Sequence, residues 1–130
     1  MGTRFVAAEE AGAHPTYTEA LIAARAQDSV YTRTFHVGWP EAPHRALRSA
    51  IDAAEAFQGE IVAKITALDG TQQSVARFAT RVADRTATGE VAAMSLYAGE
   101  SIGGVKRVIP AREIIRELVE EAEQLLRRPR

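Results

Sequence analysis

The chain has 130 residues, enough for one ordinary domain with its own core, and its 46% apolar and 25% charged residues are those of a soluble globular protein. A formal net charge of −1 gives no electrostatic basis for binding nucleic acid or an anionic membrane, and the lack of cysteine removes disulfides, thiolate catalysis and cysteine-ligated metals. No apolar run approaches the roughly 18 residues that span a bilayer, no secretory pattern is visible, and Val6 stands where a myristoylated Met-Gly start needs Ser or Thr, so the expected location is cytoplasmic.

Residues 2–8 read as a short strand, with Phe5 and Val6 as β-forming side chains. Pro15 suits the first turn of a helix carrying Tyr17, Ala20, Leu21 and Ala24 on one stripe to about Arg25. Val30 to Phe35 is a strand by its β-branched and aromatic content. After Gly38-Trp39-Pro40, Pro43 can open a second helix with Leu47, Ala50, Ile51, Ala54 and Phe57 on its apolar face and Gly59 as a left-handed cap.

Ile61, Ala63 and Ile65 then alternate with Val62, Lys64 and Thr66, and Asp69-Gly70 supplies a hairpin turn to a return strand through Val75 and Phe78. A helix over Gln72 to Val82 competes, since Val75, Phe78, Ala79 and Val82 also have helical spacing; the Asp-Gly turn favours the hairpin. Arg81 to Gly89 is loop, and Glu90 to Tyr97 suits a short helix with Thr88 as N-cap. Pro110 starts a final helix with Ile114, Ile115, Leu118, Val119, Ala122, Leu125 and Leu126 in a broad apolar stripe, which requires a partner surface.

Two constellations carry chemistry. In Gly2-Thr3-Arg4-Phe5, a glycine, a hydroxyl and backbone N–H groups can converge on a phosphate, although a plain strand end reads the same way. In Tyr97-Ala98-Gly99-Glu100-Ser101-Ile102-Gly103-Gly104, small residues permit close approach of backbone to a flat ligand or to another helix; the glycine spacing matches neither a dinucleotide fingerprint nor a P-loop. His14, His36 and His44 show no pairing of the kind a metal site or nucleophile–base pair needs, so no catalytic residue and no metal ligand is assigned. Trp39 reads as a loop aromatic covering apolar surface. Glu113, Glu117, Glu120, Glu121 and Glu123, interleaved with Arg112 and Arg116, read as a solvated face with local ion pairs.

Gly2-Thr3-Arg4-Phe5, Gly38-Trp39-Pro40-Glu41-Ala42-Pro43-His44-Arg45 and Leu96-Tyr97-Ala98-Gly99-Glu100-Ser101, in this order, resemble the C-terminal portion of the nitronate monooxygenase (2-nitropropane dioxygenase) family, over nearly the whole chain. The resemblance implies an α/β fold: the C-terminal fragment of an FMN-binding (β/α)8 barrel with its added domain, seen alone as mixed α+β with a β-hairpin and a long amphipathic C-terminal helix. It divides the chain into a last barrel strand and helix (1–27), an excursion with strand, helix and hairpin (28–89), and a flavin-edge segment with the C-terminal helix (90–130). It implies FMN as cofactor, with Gly2 and Thr3 at its phosphate and Gly99, Glu100 and Ser101 at the flavin edge. The family usually carries Gln where this chain has Glu100, and a buried carboxylate there would be penalised.

The implied activity is oxidation of alkyl nitronates with O2. Relatives on the same scaffold that reduce enoyl thioesters or quinones are the alternative, as is a non-enzymatic α+β self-association module. A barrel needs eight strands to close, and only the first strand here belongs to it. The isolated chain, a truncated gene product or one part of a split enzyme, is therefore expected to be inactive. Its expected partner is the missing N-terminal barrel portion or a second copy of itself, with neither nucleic acid nor membrane.

Overall fold

The structure, a computed structural model, describes residues 1–129. The first element departs from expectation. Gly2–Val6 is a short α-helix (α1), not a strand. The β-forming tendency of Phe5 and Val6 yields to tertiary ties. The Met1 carbonyl accepts the Arg4 N–H, the Thr3 side chain reaches Gly99, and the Arg4 guanidinium pairs with Glu117 far along the chain. Extended backbone appears only at Ala8, in a parallel bridge to Ile109.

Helix α2 (Pro15–Ala23) forms as its sequence dictates. Pro15 occupies the first turn, His14 caps it by accepting the Thr16 N–H at Nδ1 (3.1 Å), and Tyr17 and Leu21 are buried. Strand β1 (Ser29–Thr32) follows, shorter than the Val30–Phe35 expected. The helix expected from Pro43 is instead a strand, β2 (His44–Leu47), and only then α3 (Arg48–Ala56) with Ala50, Ile51 and Ala54 buried. Residues 44–47 extend because both sides of their backbone are taken. β1 pairs along one edge, with Val30 opposite Ala46, and residues 96–98 lie along the other, where Leu47 N–H donates to Leu96 O at 2.9 Å and Ala98 N–H to Arg45 O at 3.1 Å. Helix α3 ends before Gly59, whose φ of 148° serves the turn into the next strand rather than a helix cap.

The hairpin stands. β3 (Ile61–Thr66) and β4 (Gln72–Ala76) pair antiparallel with Lys64 opposite Ser74, so the competing helix over 72–82 does not form. Asp69 Oδ1 holds the turn by accepting the Thr71 N–H and hydroxyl at 2.9 and 2.6 Å. β5 (Thr88–Gly89) adds to the other edge of β3. Thr88 is therefore in a strand rather than capping a helix, and only a 3-10 turn at Val91–Ala93 stands where a helix over 90–97 was expected. Gly89 is required: its φ is +106°, and a Cβ there would sit 2.9 Å from the Val62 carbonyl oxygen.

The chain ends in α4 (Ala111–Leu126), with Pro110 just before it. Glu10 Oε2 accepts the Ala111 N–H at 2.8 Å and so satisfies one of the open donors of its first turn. The mixed α+β arrangement with a hairpin and a long amphipathic C-terminal helix is thus the one expected. Tyr17, Leu21, Phe35, Leu47, Met94 and Leu96 are fully buried and belong to one core. Among the described residues no helix is long and apolar enough to cross a membrane.

The carboxylates predict an acid response. The Ala111 N–H holds Glu10 below its ordinary value of 4.5. The Thr71 hydroxyl and N–H do the same for Asp69; burial pushes Asp84 up, but the Thr86 hydroxyl and N–H together with Arg81 and His14 leave it lowered as well. A carboxyl lowered on folding stabilises the fold above its unfolded pKa and loses that contribution as pH falls through the folded value. The urea midpoint should therefore drop between about pH 7 and about pH 3, and Glu10→Gln should lower the neutral midpoint while shrinking the drop.

Candidate functional site

The segment 96–101 is fixed from several sides before it offers anything to a ligand. Its carbonyls are consumed in turn: the Tyr17 hydroxyl donates to Tyr97 O at 2.6 Å, and the buried Ser29 hydroxyl donates to Ala98 O at 2.6 Å. Burial pushes the Tyr17 phenol well above its usual range, so it is a permanent donor. The Tyr97 hydroxyl in turn donates to Thr80 O at 3.0 Å, and its ring meets the edge of His44, 5.4 Å between centroids. The next group, Gly99 N–H, donates to Thr3 Oγ1 at 2.9 Å.

That bond joins the two sequence constellations across 96 residues. Gly2 and Thr3 lie in the first turn of α1; Gly2 is exposed, and a Cβ there would meet nothing within 4 Å. Glu100 and Ser101 open the 3-10 turn Glu100–Gly104 and are exposed. Glu100 Oε1 pairs with Arg45 Nη2 at 2.7 Å, and its side chain is 76% exposed. The desolvation penalty expected for a carboxylate at this position therefore does not arise. Arg45 is held by more than that pair. Its Nη1 donates to Ser29 O at 3.2 Å, and its guanidinium lies 6.0 Å from the centre of the exposed Tyr31 ring.

Tyr17, Ser29 and Arg45 hold the segment, and the sequence did not mark them for it. Arg45 closes the Gly-Trp-Pro stretch of the family motif, and Tyr17 reads from the sequence only as a position on the apolar stripe of α2. Of the histidines, His14 caps α2, His36 stacks on Phe78, and His44 lies in β2 rather than in a helix. Trp39 is 67% exposed. The acidic face of α4 carries local pairs, Arg116–Glu113 and Arg127–Glu123, and also reaches outward, with Glu117 taken by both Arg4 and Arg107.

The family profile for nitronate monooxygenase matches residues 1–121. The chain belongs to the nitronate monooxygenase family. Its fold is similar to that of a mutant FabK from Thermotoga maritima, with a TM-score of 0.55 and 23% sequence identity over 97% of this chain. The chain spans only 33% of that structure's length, and the likeness carries the fold alone. No curated protein matches the chain. The three motifs that carry the family resemblance meet in space: Thr3 touches Gly99, the Arg45 side chain pairs with Glu100, and the Arg45 carbonyl accepts from Ala98 N–H.

The energetic ranking of these ties is testable. Tyr17→Phe and Ser29→Ala each strip a buried carbonyl of its donor and should cost about 1–3 kcal/mol in urea unfolding. Glu100→Gln breaks an exposed pair and should cost below about 1 kcal/mol. Equal effects, or a larger one for Glu100→Gln, would contradict the geometry.

Proposed function

We propose that this chain supplies the phosphate-holding turn and the flavin edge of a cytoplasmic, FMN-dependent nitronate monooxygenase that oxidises alkyl nitronates with molecular oxygen. The observation that carries this reading is the Gly99 N–H to Thr3 Oγ1 bond. It uses the Thr3 oxygen as an acceptor and leaves its O–H proton to donate elsewhere. The first N–H groups of a helix have no acceptor inside it, and Gly2 leaves the main chain open to close approach. Hydroxyl and amide donors beside an unobstructed glycine suit a phosphate monoester, which offers only acceptors, so the residues fit the phosphoryl end of FMN.

Bound FMN would supply the two-electron chemistry, taking electrons from the nitronate and passing them to oxygen, with a carbonyl compound and nitrite as products. This chain's residues bind and orient. Thr3 and Gly2 hold the anion, and Tyr17 and Ser29 fix the backbone that delivers Gly99 to Thr3. Arg45 balances the Glu100 charge at the flavin edge. No side chain here is given a proton-transfer role, and in this reading the base comes from the barrel portion outside residues 1–130.

Flavin titration tests the proposal in two forms of the protein. The purified chain should show no saturable FMN binding in the micromolar range and no nitronate-dependent oxygen uptake. A chimera in which this chain replaces the third of T. maritima FabK that it superposes on should bind FMN. There, Thr3→Val should weaken FMN roughly tenfold while leaving riboflavin, which lacks the phosphate, unchanged. Equal losses for both flavins, or none, would reject the phosphate assignment.

A further inference from the structure

Helix α4 has three faces, and only two of them are accounted for. One meets the rest of the chain through buried Ile114 and through Glu117 and Glu121, which pair with Arg4 of α1. A second is polar, with Arg112, Arg116, Glu120, Glu123 and Arg127 following one another at helical spacing. Between them runs a stripe of Ile115, Val119, Ala122 and Leu126, spaced i, i+4, i+7 and i+11. Ile115 is 54% exposed, Val119 52% and Leu126 85%. Charges stand on the polar face, and Glu117 and Glu121 lie toward Arg4, while the apolar side chains of the stripe between them stand uncovered. Such a division is the pattern of a helix built to be covered on that side.

We propose that this stripe is the seat of the part of the family fold that residues 1–130 do not contain, and that the covering surface is the barrel portion, not a second copy of this chain. This rests on the family reading given above. Three observations favour that occupant. The profile match runs through residue 121 and so includes most of α4, which places the helix within the family's own fold rather than in an appendage. The superposition takes in 97% of this chain but 33% of the FabK chain, so the helix has its counterpart in a molecule with a large further body. Finally, α1 is pinned to α4 by the Arg4–Glu117 pair, and Glu9 N–H donates to Ile109 O just before α4 at 3.1 Å. The phosphate-holding turn and the apolar stripe therefore belong to one structural block, and a body completing the flavin site at α1 stands beside α4.

This chain has no cysteine, so an introduced thiol is the single one it carries, and any cysteine in the FabK part of the chimera is replaced by Ser. Val119→Cys and Glu120→Cys place thiols on the stripe and on the polar flank, one residue apart. Maleimide labelling is followed in the chain alone, across a range of concentrations, and in the FabK chimera. In the chain alone both positions should label at similar rates with a monomeric mass. In the chimera position 119 should slow roughly tenfold or more while position 120 is unchanged. A second variant, Val119→Glu, should leave the chain's own unfolding midpoint unchanged and lower that of the chimera. Equal labelling in the chimera overturns the proposal. So does a chimera that will not fold, and so does protection of position 119 in the chain alone together with a dimer mass, which would make the second copy the occupant. Protection at 119 in a chimera that ignores FMN would leave this proposal standing and remove the flavin assignment instead.

Discussion

The backbone of Leu96–Ala98 laid along β2 is the constraint on which the rest depends. Leu47 N–H to Leu96 O and Ala98 N–H to Arg45 O tie this irregular segment to the free edge of β2 through an isolated antiparallel bridge at Ala46 and Tyr97. A buried backbone must find partners for every polar group, and the carbonyls of Tyr97 and Ala98 find theirs in the Tyr17 and Ser29 hydroxyls. With those fixed, the next amide, that of Gly99, has little freedom left, and it meets Thr3. The position of a candidate ligand-holding hydroxyl is thus set by hydrogen bonds in the core, well away from the surface on which it would act.

A second set of ties closes the other end. Arg4, Glu117, Glu121 and Arg107 form an ion-pair group that joins α1 to α4, and Glu10 caps the first turn of α4. Arg4 and Glu117 are largely shielded from solvent, so their attraction is screened less than that of the exposed Arg45–Glu100 pair. Without such ties a five-residue helix rich in β-forming side chains would not persist, since isolated helices of that length are far below the stable range. The N-terminal turn is therefore as much a product of α4 as of its own sequence.

These facts explain what could be read in advance. The hairpin was legible because Asp69-Gly70 encodes its turn locally. Helix α2 was legible because Pro15 and the Tyr17/Leu21 spacing do the same, and α4 because sixteen residues of strong periodicity need no context. Residues 2–6 and 44–47 depart from their local pattern because their conformation is decided by partners distant in sequence: Glu117 and Gly99 for the first, residues 96–98 for the second. Pro43 permits a helix but does not compel one. The meeting of Thr3 with Gly99 was open to resemblance alone, because spacing along the chain says nothing about contacts across 96 residues. Tyr17 and Arg45 were visible as an apolar-stripe position and a motif residue, but their holding roles, and that of Ser29, left no signal. Tyr17 and Ser29 each act through one hydrogen bond on a backbone carbonyl, and Arg45 through a pair with Glu100, distant in sequence.

Amide hydrogen exchange on the isolated chain addresses the central claim most directly. If residues 96–99 are locked by β2, Tyr17, Ser29 and Thr3, the amides of Leu47, Ala98 and Gly99 should exchange among the slowest, and Thr3→Val should release Gly99 alone. Exchange of Ala98 and Gly99 as fast as the exposed loop around Trp39 would mean that the segment is not held. The assembled site would then not exist in this chain.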